Sequence, residues 1–423
     1  MKPFKNILPL VAAIFAFAAY SPGHLLTDAA AAEVTVLTYD GVINPIAAEY
    51  IGGNIKKINK EKSADLIVVM LDTPGGLDTS MRIIVKDIMA STAPVIVYVA
   101  PSGSRSASAG TFIGMSAHIS AMAPGTSQGA AHPVNMGGGE MDKTMSKKVE
   151  NDAAAYIKSL AEKRGRNAEW AEKAVRKSVS IGEKDALKEN VIDIVAENLD
   201  DLLKQVEGRK VQTVAGEVTI KIAGASRTFI EMTERQKFLN IITNPTVAYM
   251  LLMLGFYGIF FEISSPGVLL PGILGSICLI LGFYALQSIP VNYAGILLLA
   301  LSVILFLAEL FVPTFGALTL GGVVAMILGG ILLVDSPADY MQVKLIVIVP
   351  VAATIGFVFF SIIGWAMLLK RRKVPTGADG LIGLEAVAVT ALDPFGSIEV
   401  EGELWDARIE AGNVEKGGRV EIE

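Results

Sequence analysis

A chain of 423 residues is long enough for more than one domain, and 52% hydrophobic residues with a mean hydropathy of +0.52 are too apolar for a wholly soluble protein. A net charge of −6 and pI ≈ 5.4 argue against nucleic acid as a partner. The single cysteine, Cys278, lies in an apolar run and excludes an intramolecular disulfide, while three histidines leave little material for a zinc site.

The N-terminus reads as a secretory signal. Lys2 and Lys5 precede an apolar run over 7–20, then Ser21-Pro22-Gly23 and an alanine tract ending at Ala32, so 1–32 are expected to be removed. From 33 to 206 strands and helices alternate. Strands are expected over 34–38, 65–71, 94–100, 119–122 and 191–195. Helices are expected over 43–58, 80–89, 107–116, 145–164, 168–178, 183–189 and 198–206, with Asn167 as a cap. That alternation predicts an α/β domain with a mostly parallel sheet. A polar, β-rich stretch over 207–235 opens a connector expected over 207–244.

Residues 245–369 are nearly free of charge and divide into five apolar spans, 246–262, 268–287, 293–312, 316–334 and 344–369, each near the roughly 20 residues a spanning helix needs. This predicts an α-helical transmembrane bundle. Lys370-Arg371-Arg372-Lys373 closes it and reads as cytoplasmic. An external N-terminal domain followed by an odd number of spans puts the C-terminus on the same side. Within the bundle, Glu262-Ile-Ser-Ser-Pro266 recurs as Glu309-Leu-Phe-Val-Pro313, read as interfacial turns rather than a relay. The tail, 374–423, alternates in short strands over 381–392, 397–401, 404–410 and 419–422, which predicts a small all-β module.

Two turns carry the chemistry. Leu71-Asp-Thr-Pro-Gly-Gly76 and Pro101-Ser-Gly-Ser-Arg-Ser-Ala-Ser-Ala-Gly110 each follow a strand rich in Val and Ile, one α/β unit apart. Glycines bring amides to one strand end, and a small-residue turn presents a serine at the next, as a serine hydrolase requires. Ser108, just before a small-residue helix, is the candidate nucleophile, with Ser102, Ser104 and Ser106 as competitors. Gly75, Gly76 and the amide of Ala109 are candidate oxyanion donors. A hydroxyl needs a base, and the candidates are His118, His132 and Lys148. His118, at a strand start, reads as structural. Judged alone, Lys147 and Lys148 read as a solvated helix face, because a basic lysine must be desolvated to lose its charge.

Leu71-Asp-Thr-Pro-Gly-Gly-Leu77, Ser106-Ala-Ser-Ala-Gly-Thr111, Ala121-Met-Ala-Pro-Gly-Thr-Ser127 and Ala155-Tyr-Ile-Lys-Ser-Leu160 occur in that order. Together they resemble the long-form NfeD family, membrane-bound serine proteases of the ClpP/crotonase-like fold related to signal peptide peptidase A. The resemblance covers essentially the whole mature chain. It implies a Ser–Lys dyad of Ser108 and Lys148, the paired glycines Gly75 and Gly76, and no cofactor. It also implies cleavage of hydrophobic segments of membrane proteins, stomatin- or prohibitin-like partners, homo-oligomers and an OB-like tail. Met122 stands where related ClpP carries its histidine, which favours lysine, with His132 as the rival base. The tail stops at Glu423, short of the family's usual last strand, so barrel closure is open. A catalytically silent membrane scaffold and a crotonase-like thioester enzyme are the competing readings, and the signal peptide opposes the latter because CoA is cytosolic.

Overall fold

The computed structural model describes residues 32–134, 142–264, 267–287, 289, 291–312, 314–334, 336, 341–371 and 377–423. The expected signal segment up to residue 31, Pro266, Pro313 and the basic pair Arg372-Lys373 lie outside the described residues. β1 (Glu33–Asp40) leads into α1 (Pro45–Glu61), whose first turn is capped by the Asn44 side chain accepting from the Ala47 amide. Then come β2 (Leu66–Asp72), α2 (Asp78–Met89), β3 (Val95–Val99), β4 (Arg105–Ala107), α3 (Ala109–Ser116), β5 (Ile119–Met122) and β6 (Ser127–Gly129). They are followed by α4 (Lys143–Lys163), α5 (Ala168–Arg176), β7 (Ser180–Gly182), α6 (Glu183–Lys188), β8 (Ile194–Val195) and α7 (Leu199–Val206).

The expected alternation is realised as a six-stranded sheet, β11-β1-β2-β3-β5-β8, in which every pairing is parallel. One face buries Val69, Val97 and Leu71 against α1 to α5, and the other buries Val68, Ile96 and Tyr98 against α7. Burial on both faces is why these strands read as unbroken apolar runs. After the hairpin β9 (Lys210–Thr213) and β10 (Gly216–Thr219), the stretch expected to be connector supplies β11 (Ser226–Ile230). β11 pairs with β1 in register Glu33↔Ser226 to Leu37↔Ile230. Its side chains are mostly exposed at the sheet edge, so no apolar run marked it as a strand. A separate small sheet, β4-β6-β7, packs beside the nucleophile turn.

α8 (Glu234–Ile242) precedes five apolar helices: α9 (Pro245–Ser264), α10 (Leu270–Leu286), α11 (Tyr293–Phe311), α12 (Ala317–Leu332) and α13 (Leu345–Arg371). Two segments, Pro245–Ser264 and Leu345–Trp365, are long and apolar enough to cross a membrane. The others are shorter: sixteen residues extend about 24 Å against a hydrocarbon core of about 30 Å. Residues 304–324 and 350–423 form a second compact unit. Within it Glu309, 4% exposed, accepts from Thr314 Oγ1 (2.9 Å) and the amides of Thr314, Gly316 and Thr319 (3.2, 3.0 and 2.9 Å), which caps α12. That is a turn role, as expected. The tail forms the antiparallel sheet β14-β13-β12-β15, from β12 (Glu385–Ala388), β13 (Phe395–Val400), β14 (Glu403–Arg408) and β15 (Arg419–Glu421).

The C-terminal end of α3 is clamped from below. Arg166, its side chain 1% exposed, donates Nη1 to the carbonyls of Gly114 (3.3 Å) and Met115 (2.9 Å) and Nη2 to Asp193 Oδ2 (2.6 Å). Arg164 Nε donates to the carbonyl of Ser116 at 2.8 Å. Two cations thus meet the carbonyls a helix end leaves unpaired. Arg166→Ala is expected to lower stability by about 1–3 kcal/mol, read from denaturant midpoints, because the buried carbonyls of Gly114 and Met115 lose their donor while Asp193 keeps the Ser120 amide and partial solvent contact.

His118 lies at this same end, with Nδ1 accepting the Val95 amide at 3.1 Å. Burial, reinforced by Arg164 and Arg166, pulls the imidazole down to about 3. The unfolded ring takes its proton first, near about 6.5, so its contribution is complete above that pH and is lost as the pH falls toward 3. His118→Asn keeps an acceptor for Val95 and is expected to flatten the acid-side loss of stability; an unchanged slope would contradict this assignment.

Candidate active site

Ser108 sits between β4 and α3 with φ +50° and ψ −113°, a backbone state that side-chain-bearing residues rarely hold. Its amide donates to the Gly129 carbonyl at 2.9 Å, and its carbonyl accepts from Thr111 N at 2.9 Å. Thr111 Oγ1 reaches the carbonyls of Ser106 (3.0 Å) and Gly129 (2.9 Å), tying the turn to β6. Gly110 has no room for a side chain: a Cβ would lie 2.6 Å from Thr73 Cγ2 and 2.7 Å from Ser106 Oγ. Among the four serines, Ser102 is exposed, Ser104 and Ser106 are buried, and Ser108 is half-buried. Ser108 is the one that combines partial exposure with the strained turn at a helix N-terminus.

The glycine turn adjoins it through Thr73. Thr73 N donates to the Arg105 carbonyl at 2.7 Å, and Ala107 N donates to the Thr73 carbonyl at 3.0 Å. Gly75, at φ +120°, is buried, and its amide donates to Thr73 Oγ1 at 3.1 Å while its carbonyl accepts from Ile43 N at 2.8 Å. Gly75 therefore shapes the turn and has no amide to spare. Gly76 lies so close to Ile43 that a Cβ would come within 2.6 Å of its nitrogen. The Gly76 amide has no partner among the described residues, and Ala109 N heads α3, where helix amides lack intrahelical acceptors.

Lys148 lies in the second turn of α4 and is exposed, as is Lys147. α4 runs in the same direction as α3: Tyr156 stacks on Phe112 with centroids 6.0 Å apart, and Arg164 meets Ser116 farther along. α2, which begins just after the glycine turn, holds the first half of α4. Arg82 Nε bonds Asp78 at 2.8 Å, Nη2 bonds Asp152 at 2.5 Å, and its guanidinium lies 4.5 Å from the Tyr156 ring centre. Exposed ion pairs of this kind add about 1 kcal/mol or less, so their effect is on direction rather than stability. The sequence held no sign that Arg82 reaches α4, since Asp152 and Tyr156 lie 70 or more residues away along the chain.

His132 is half-buried, with Nδ1 at 2.9 Å from the Val175 carbonyl. Because a carbonyl oxygen only accepts, Nδ1 is the donor in that contact. His118 is at the far end of α3 from Ser108 and is structural.

Comparison with known proteins covers nearly the whole chain. Residues 33–210 match the NfeD1b N-terminal domain, 246–365 the NfeD integral membrane domain, and 378–423 the NfeD-like C-terminal, partner-binding domain. A membrane-bound protease of Pyrococcus horikoshii is 38% identical over 379 residues, spanning 86% of this chain and 85% of its own. The membrane protein NfeD1b of Bacillus subtilis is 28% identical over 392 residues, spanning 86% and 84%. A solved 1510-N membrane protease specific for a stomatin homolog from Pyrococcus horikoshii aligns over 51% of this chain and all of its own, at 35% identity and TM-score 0.44. The chain belongs to the NfeD family, with that family's α/β protease-like N-terminal domain, integral membrane domain and C-terminal β-domain.

Proposed function

We propose that the chain is a membrane-anchored serine endopeptidase acting through Ser108 and Lys148 on hydrophobic segments of membrane or secreted proteins. The observation that carries this reading is the strained Ser108 turn at the head of buried α3, beside a glycine turn whose Gly76 amide is unpaired among the described residues. Ser108 Oγ attacks the peptide carbonyl carbon, and its proton passes to unprotonated Lys148 Nζ. The oxyanion accepts from Gly76 and Ala109 N–H groups. Collapse breaks the C–N bond as Lys148 returns the proton to the leaving amine. Water, deprotonated by the same lysine, then releases the acyl group from Ser108.

The register of the two helices supports Lys148. Tyr156 on Phe112 sets α4 beside α3, and Lys148 lies eight residues, about 12 Å, toward the α4 N-terminus from that contact, in the direction of the end of α3 that Ser108 precedes. Lys148 is exposed in the free chain, and an apolar substrate laid over it would exclude water from the site. A stomatin-like partner and a homo-oligomer, implied by the family resemblance, belong to the same reading.

The chain is organised as a signal peptide over 1–32, a protease domain over 33–206, a connector over 207–244, membrane helices over 245–369 and an OB-like domain over 374–423. The protease domain lies outside the cell membrane. The five apolar helices cross it, and the β-domain binds its partner in the cytoplasm.

Cleavage of an apolar peptide by the full chain is expected to fall roughly 10⁴-fold or more in Ser108→Ala and by a comparable factor in Lys148→Ala, with His132→Ala near the parent. Loss in His132→Ala with retention in Lys148→Ala would move the base to His132. Parent-level cleavage by Ser108→Ala would remove the nucleophile. Arg82→Ala is expected to lower kcat about tenfold with little change in KM, and Arg82→Lys to recover part of it; a 1 Å displacement of a catalytic group is enough for such losses.

A further inference from the structure

Beside the glycine turn the structure holds a cavity of about 170 Å³ that neither the protease domain nor the apolar helices form alone. One wall is the strand end at Val42 and Leu77, joined through the Leu77 amide to the Ile43 carbonyl at 2.8 Å. The opposite wall is Pro245 at the start of α9, with Ile289 and Met341 from the connections that follow α10 and α12. Ile289 and Met341 are 6% and 4% exposed. The beginnings of α9, α11 and α13 and the ends of α10 and α12 alternate along the chain, so these connections all return to the side of the bundle that bears the protease domain.

The side-chain oxygens of the lining are already engaged. Asn44 Nδ2 donates to Asn240 Oδ1 (2.8 Å) and Thr243 Oγ1 (3.2 Å), and Asn44 Oδ1 caps α1. Thr243 Oγ1 donates to the Asn240 carbonyl at 3.0 Å, and Asn244 Oδ1 accepts the Thr246 amide at 2.9 Å. The apolar part of the lining is Val42, Leu77, Pro245, Ile289 and Met341. Sites for whole small molecules run about 300–1,000 Å³, so this one suits a single side chain.

We infer that this cavity is a substrate subsite, taking one aliphatic side chain of an extended polypeptide whose scissile carbonyl lies at Gly76. The inference rests on the active-site reading above and adds to it that the membrane helices complete the specificity pocket. Gly76 and Leu77 are consecutive, and one extended residue advances about 3.3 Å, so a carbonyl on the Gly76 amide places a neighbouring side chain of the substrate at the pocket mouth. A substrate emerging from the bilayer would meet α9, α10 and α12 at the same place.

The test uses the full chain in detergent and fluorogenic peptides that differ at one position near the scissile bond, with Ala, Leu or Phe there. The parent is expected to favour Leu over Ala at least tenfold in kcat/KM at one position, the range one pocket can supply. Met341→Trp fills the cavity and is expected to bring that ratio near unity, whereas Ile289→Ala enlarges it and is expected to move the preference to Phe. If Met341→Trp fails to fold, the Ile289→Ala preference decides alone. No Leu-over-Ala preference in the parent, or an unchanged ratio in both variants, would overturn the subsite. Ser108→Ala run on the same peptides separates the two ideas: continued cleavage by that chain defeats the active-site reading, while the selectivity ratios still report on the pocket.

Discussion

Thr73 is the residue on which the site depends. Its amide and carbonyl pair with Arg105 and Ala107, on either side of Ser106, and its hydroxyl accepts from Gly75. One residue at the end of β2 thereby sets the distance between the turn that presents a serine and the turn that presents an amide. The contacts are backbone-dominated, so they specify geometry without asking much of side-chain identity. They also explain why Gly110 cannot grow: its Cβ would enter the space Thr73 Cγ2 fills.

Around that junction the helices are held at defined points. Arg164 and Arg166 fix the carbonyl end of α3, and the Gly129 carbonyl fixes the residue before its first turn. Arg82 connects the helix after the glycine turn to the helix bearing Lys148, through Asp152 and Tyr156. The buried ties at α3 carry stability, since buried carbonyls left without a donor are costly. The exposed tie at Arg82 carries direction. Ser108 is thus rigidly seated, while Lys148 stands on a helix whose first half is open to solvent.

Much of this was readable in the residues. The Val- and Ile-rich strands and the two small-residue turns revealed the parallel sheet and its loaded end, because buried parallel strands and close backbone approaches tolerate few residue types. β11 escaped because an exposed edge strand has no apolar pattern to show. The Gly75 amide was assigned a donor's role from its place in the motif, yet Thr73 Oγ1 takes it, a matter of torsion that spacing does not encode. The five apolar spans were legible as helices, but composition alone does not say how far a short helix reaches across lipid. Lys148 was singled out through family resemblance, since a lysine on an exposed helix face looks like any other.

The unusual torsion at Ser108 also has a thermodynamic side. Holding a residue with a Cβ in that region costs on the order of 1–3 kcal/mol, and glycine would relieve much of it. Selection for a hardier fold alone would therefore replace the serine, and the chain that resulted would be sturdier and inert. Under the proposed mechanism, serine at this position means that the enzyme gives up part of its thermal margin at the atom assigned its chemistry.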